Sequence, residues 1–187
     1  MDLEKIGRIF EEDLKLINEK ENLYLNPDVI RYISFTILKY INNLPYYLVD
    51  VQEKTTFRTY KTKGDVSLLL VGLFTEWLNR LNRPVKEEDY IKTGKLNYES
   101  AYLYLDINYG KELKEEIGKS YLKYLKNEDY STYLDIFREM SELFEDYTLL
   151  LKQYRKEQQQ FAEFLNKIPA AKFTEFQILI NKIYSMD

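Results

Sequence analysis

Apolar residues recur every three or four positions along most of the chain, the spacing that gathers them on one face of an α-helix. Leu3, Ile6, Phe10, Leu14 and Ile17, with charges between them, predict a first helix from about Leu3 to Glu19. Asn26-Pro27 supplies an N-cap followed by proline at the first helical position, so a second helix starts there. It carries Ile30, Ile33, Ile37, Ile41 and Leu44 on one side and meets a breaker at Pro45. Residues 46–63 read as a short helix and a loop, because Thr55, Thr56 and Thr59 are poor helix formers. Gly64-Asp65 then opens a strongly apolar helix that Asp65 can cap. Val66, Leu69, Leu70, Leu73, Trp77 and Leu81 form its stripe, which belongs at the centre of a bundle, and Arg83-Pro84 ends it.

Further helices are expected from about Glu87 to Asn108, with Gly110 as a stop, and from about Lys111 to Lys126. The most regular periodicity runs from Tyr130 through Tyr133, Phe137, Met140, Phe144, Tyr147, Leu151 and Tyr154 to Gln158, Phe161, Leu165 and Ile168. Eleven of these twelve positions are apolar or aromatic. A long coiled-coil helix would produce such a pattern, but rings this bulky suit a globular interior better than a narrow seam. The preferred expectation is therefore a bundle helix broken near Lys156, with Phe137 and Phe144 in the core. A last helix, Phe173 to Tyr184, follows Pro169. Strand alternation and repeats of solenoid length do not occur. The fold class is all-α: a single-domain helical bundle of about seven helices over residues 1–187, with 170–187 as a candidate appended arm.

Composition narrows the chemistry. The 187 residues include no cysteine and no histidine. Disulfides, thiolate or imidazole metal sites and serine–histidine triads are thereby excluded within this sequence. Lysine plus arginine number 27 against 31 acids, a net charge of −4, which argues against a nucleic-acid binder. The segment MDLEKIGRIF lacks the apolar core of a signal peptide, and the longest apolar run, Leu68 to Phe74, is far short of a membrane span. A soluble cytoplasmic protein with no membrane partner is expected. Eighteen tyrosines, with many lysines, glutamates and isoleucines, are a bias that an AT-rich genome or a hot habitat produces.

The stretch GDVSLLLVGLF from Gly64 to Phe74 is followed by Arg83, Val85, Asp89-Tyr90-Ile91, Gly94-Lys95 and Tyr98. This resembles a family of bacterial proteins without an assigned activity, whose pattern is G-D-x-x-L-x-x-x-G-x-F, then R-x-V, D-Y-Y and G-x-x-A-Y. LYLNPDVIRYISFTILKYI and YSTYLDIFREMSELFEDYTLLL resemble its flanking helices, so the likeness spans about residues 20 to 155. The chain departs at Ile91, where the pattern has a second tyrosine, and at Asn97, where it has a small residue. The resemblance implies a helical fold and marks a polar patch, and it implies no reaction.

That patch, Asp65, Arg83, Asp89, Tyr90 and Lys95, is the candidate site, a polar pocket for a small anion or a partner side chain. The plainer reading makes Asp65 a helix cap and pairs Arg83 with Asp89. Gly64, Gly72 and Gly94 are candidates for close backbone approach, to a ligand or, more commonly, to another helix. No cofactor is expected, since neither a phosphate loop nor a dinucleotide fingerprint is present. A carboxylate metal site could draw on Glu11–Asp13, Glu87–Asp89 or Glu145-Asp146, each of which reads better as surface charge. Tyr98, Tyr102, Tyr121, Tyr124, Tyr130 and Tyr133 could stack bases or cage a cation, but they read better as core-edge residues or a subunit interface. The first expectation for function is a non-enzymatic helical protein acting on a protein partner or on its own copies. The second is a small-molecule binding module, and the third a carboxylate-metal enzyme.

Overall fold

The computed structural model describes residues 3–40, 57–75, 78, 86–108 and 130–159. Among these the chain forms six helices and no strand. They are α1 (Leu3–Lys20), α2 (Pro27–Tyr40), α3 (Phe57–Gly72), α4 (Glu87–Asn108), α5 (Tyr130–Glu142) and α6 (Phe144–Glu157). The expected segments Lys111–Lys126 and Phe173–Tyr184, the stop at Gly110 and the breaks at Pro45 and Pro169 lie outside the described residues.

The start of α2 is as the sequence predicts. Asn26 Oδ1 accepts the backbone N–H of Asp28 at 2.9 Å, and Pro27 takes the first helical position, where its missing N–H costs nothing. The start of α3 is a correction. The helix begins at Phe57 rather than Gly64, so Asp65 lies in its third turn and caps nothing. The low helix propensity of Thr59 and Thr62 amounts to a few tenths of a kcal/mol each, and burial of Phe57, Val66, Leu68 and Leu69 outweighs it.

At the other end of α3 the hydrogen-bond ladder slips. The Phe74 N–H is shared between the carbonyls of Leu69 and Leu70, at 3.1 and 3.2 Å. The Leu73 carbonyl accepts the Arg155 guanidinium of α6 at 2.6 Å, so a backbone acceptor at the helix end has a partner from a neighbouring helix. The helix expected as one element through Leu81 thus has an interruption just after Gly72.

α3 packs most extensively on α4, and α5 and α6 close over this pair. α1 and α2 pack on each other; α1 reaches the remainder through α6, and α2 through α5 and α3. A single cluster of buried side chains runs through all six helices. Glycine lets the elements approach at two decisive points. A Cβ at Gly64 would fall 2.8 Å from the Tyr98 ring of α4, and one at Gly72 would fall 2.7 Å from Leu151 Cβ of α6. Close helix crossing is therefore what the two glycines of the G-D-x-x-L-x-x-x-G stretch do here.

The long periodic segment divides at Leu143 (φ −107°, ψ 26°) into α5 and α6, and α6 ends at Glu157, one residue past Lys156. Phe137 and Phe144 are fully buried. Phe137 meets Tyr32 and Phe57 edge-on at 5.6 and 5.4 Å and stacks near Tyr98 at 6.2 Å. Phe144 lies 6.1 Å from the same Tyr98 ring. The aromatic stripe is thus core of one chain. Its continuation from Phe161 lies outside the described residues.

Candidate functional site

The G-D pair and Tyr98 meet in a closed ionic cluster. Asp65 is fully buried and accepts three hydrogen bonds, from the Tyr32 hydroxyl, from the Tyr98 hydroxyl at 2.9 Å and from Lys61 Nζ at 2.7 Å. Lys61 sits one turn earlier on α3, itself buried. Burial alone would lower the Lys61 amine, but the Asp65 charge, the neighbouring Tyr32 and Tyr40 and the hydrogen bond to Asp65 together outweigh it and hold the amine well above its ordinary range. Burial, and then the Asp65 charge, push both phenols well above theirs, so Tyr32 and Tyr98 stay neutral donors. With the charged and hydroxyl groups of all four residues engaged and almost no exposure, this cluster specifies how α2, α3 and α4 sit together.

A second ion pair joins α1 to α2. Arg31 and Glu11 are both buried, with Arg31 Nε 3.0 Å from both carboxylate oxygens and Nη2 2.8 Å from one. Lys15 also donates to Glu11, at 2.5 Å. Burial raises the Glu11 carboxyl, and the hydrogen bonds and charges of Arg31 and Lys15 more than reverse this, leaving it below the ordinary range. Glu11 is therefore a core residue, a correction to the surface reading of Glu11–Asp13. A third polar contact locks the start of α2 to α5 and α6. Tyr147 donates to Glu139 at 2.5 Å and accepts the Asn26 N–H at 3.3 Å, and Asn26 Nδ2 donates to Glu139 at 3.0 Å.

The other members of the candidate patch lie elsewhere. Tyr90 is buried in the core. Asp89 Oδ2 accepts the Lys86 N–H at 2.8 Å, and the Asp89 N–H donates back to the Lys86 carbonyl at 3.0 Å, a reciprocal cap at the start of α4. Lys95 bridges to Glu145 of α6 at 3.0 Å. Asp89 and Lys95 line one open groove of about 630 Å³ with Glu88, Ile91, Lys92, Leu96 and Glu99 of α4, Ser141 and Glu142 of α5, and Glu145 of α6. So Asp89 and Lys95 share a surface, while Asp65 is committed to Tyr32, Tyr98 and Lys61. Arg83 lies outside the described residues.

Among the described residues no three acidic side chains are arranged to hold a metal ion, and no helix is long and apolar enough to cross a membrane. Glu87 of the second acidic run pairs with Lys152. Tyr98 and Tyr133 are fully buried and Tyr102 is partly so, so these rings are not free to stack a base. Tyr121 and Tyr124, and the side chain of Tyr130, lie outside the described residues.

Sequence reasoning missed Tyr32, Lys61 and Arg31. A signal existed for two of them. Lys61 lies four residues before Asp65 on the stripe of Phe57, Gly64 and Leu68. Arg31 stands between Ile30 and Ile33 in a helix apolar on nearly every side, where a charge needs a buried partner.

The described residues define an all-α bundle with an ionic core and an acid-rimmed surface groove. Neither a family model, a curated protein nor a solved structure matches the chain.

Proposed function

We propose that this chain is a binding protein that works through contacts with other protein surfaces, copies of itself included. One observation carries the reading. Leu96, Leu103 and Ile107 are 58 %, 46 % and 76 % exposed and lie seven and four residues apart, on one side of α4. A single exposed leucine is ordinary, but a line of three that runs into a groove floored by Ile91 is surface that association would withdraw from water.

Sedimentation velocity at micromolar concentration tests this, on the parent and on Leu103→Ser/Ile107→Ser. Both positions are exposed, so the bundle itself is spared. The expected result is an oligomer or a co-sedimenting partner that the double variant loses. A strict monomer with no co-purifying partner refutes the reading.

A small-ligand site on the groove that Asp89 and Lys95 share is the second reading, without Asp65 and Tyr90, which are buried away from it. On that reading, Arg83→Ala abolishes binding of an acidic ligand and leaves the helix content intact. Loss of the fold instead would make Arg83 structural.

A further inference from the structure

We infer that the groove between α4 and the α5–α6 junction docks a basic amphipathic helix of a partner protein. The inference rests on the binding function proposed above and names the chemistry of the partner. Its first support is shape. From Glu88 to Glu99 the α4 wall runs about 16 Å at roughly 1.5 Å per residue, which matches about three turns of a helix laid alongside. Ile91 and Leu96 give the groove an apolar floor, and Leu96 is more than half exposed. A helix seated in a groove reads such a floor with apolar residues at three- and four-residue spacing.

The second support is charge. The lining carries five carboxylates and two lysines. Asp89 is engaged by the Lys86 N–H, and Glu145 by Lys95. Glu88, Glu99 and Glu142 have no partner among the described residues, and Lys92 is the cation left beside them. A ligand that completes this surface brings an apolar strip flanked by lysine or arginine. Nucleic acid and anionic lipid bring the wrong sign. A second copy placed across a two-fold axis at the groove would set acid rim against acid rim.

The test uses a fluorescein-labelled helical peptide of leucine and lysine at amphipathic spacing, read by anisotropy, and its counterpart with every lysine changed to glutamate. The full chain should bind the lysine peptide saturably, more weakly as salt rises, and leave the glutamate peptide free. Glu99→Lys/Glu142→Lys, which turns two attractions into repulsions, should weaken binding about tenfold, and Leu96→Ser should weaken it as well. Glu12→Lys/Glu19→Lys makes the same charge change at exposed positions of α1 and should leave the affinity unchanged. All these side chains are exposed, and far-ultraviolet circular dichroism of each variant checks that its helices persist. Equal weakening by the two double variants would reduce the effect to general attraction and overturn the groove as the site. Absence of peptide binding, or equal binding of the glutamate peptide, also overturns it. If the peptide fails while Leu103→Ser/Ile107→Ser still abolishes self-association, the basic partner is refuted and the binding function stands.

Discussion

Replacing Asp65 with alanine should be the most damaging single change to a charge in the described residues. The carboxylate is fully buried and is the common acceptor for Lys61, Tyr32 and Tyr98. Its loss leaves a buried ammonium without a counter-charge and two phenol hydroxyls without an acceptor. Breaking a buried ion pair from one side costs about 3–5 kcal/mol, and an orphaned buried hydroxyl about 1–3 kcal/mol. These do not simply add, because Lys61 can shed its proton and cap the electrostatic cost. A loss of at least about 4 kcal/mol is expected, a large share of the roughly 5–15 kcal/mol that holds a domain folded. Removing both charges is a different perturbation. Lys61→Met/Asp65→Leu leaves no buried charge and should recover the ionic part of the loss, because an apolar pair of similar size can replace a buried ion pair at little cost, while the two phenol hydroxyls stay without their acceptor. Urea unfolding followed by circular dichroism on the parent, Lys61→Met, Asp65→Leu and the double variant closes the cycle, with Asp65→Ala measured beside them. If Asp65→Ala costs less than about 1 kcal/mol, or the double variant is no better than Asp65→Ala, the cluster does not hold the helices together.

High pH should unfold the protein through the same cluster. Tyr32, Tyr98 and Lys61 keep their protons well above their ordinary ranges when folded, whereas in the unfolded chain they release them at about pH 10 to 10.4. Above that range the unfolded state binds fewer protons, so their contribution is complete below about pH 10 and is lost as pH climbs further. Tyr98→Phe should flatten this limb, and phenolate absorbance should rise for the buried tyrosines only with unfolding. At the acid end, Glu11 is held below the usual carboxylate range, so its contribution is present above about pH 4.5 and is lost as pH falls through its folded value. Glu11→Gln should shift the acid midpoint upward with little change of slope elsewhere. Phe137→Ala and Phe144→Ala should each cost about 3–5 kcal/mol, by the same amount over a hundredfold range of protein concentration. A melting point falling steeply on dilution would instead place those rings at a subunit seam. Gly72→Ala should cost about 1–3 kcal/mol by overpacking, since its methyl would meet Leu151 Cβ in well-packed core.

Local features of the chain were enough for the all-α class, for the Asn26-Pro27 start of α2 and for the span of α4. Each follows from three- and four-residue periodicity or from a cap that involves neighbours in sequence. The burial of Phe137 and Phe144 was legible for the same reason, since a stripe of bulky rings needs a broad interior. What needed the tertiary structure was the pairing of polar groups across helices. Tyr32 and Tyr98 are each 33 residues from Asp65, and Arg31 is 20 from Glu11. A charge meant for a buried partner and a charge meant for water look alike until the facing helix is known. The start of α3 was missed because threonines argue against a helix locally, whereas packing on α4, which local propensity does not register, outweighs them. The patch of Asp65, Asp89, Tyr90 and Lys95 shows the same limit. Proximity in sequence suggested one pocket, but helical phase turned Asp65 and Tyr90 into the core and left Asp89 and Lys95 on the groove. Periodicity says which residues share a face of one helix. Which faces meet is decided by the packing of the helices against one another.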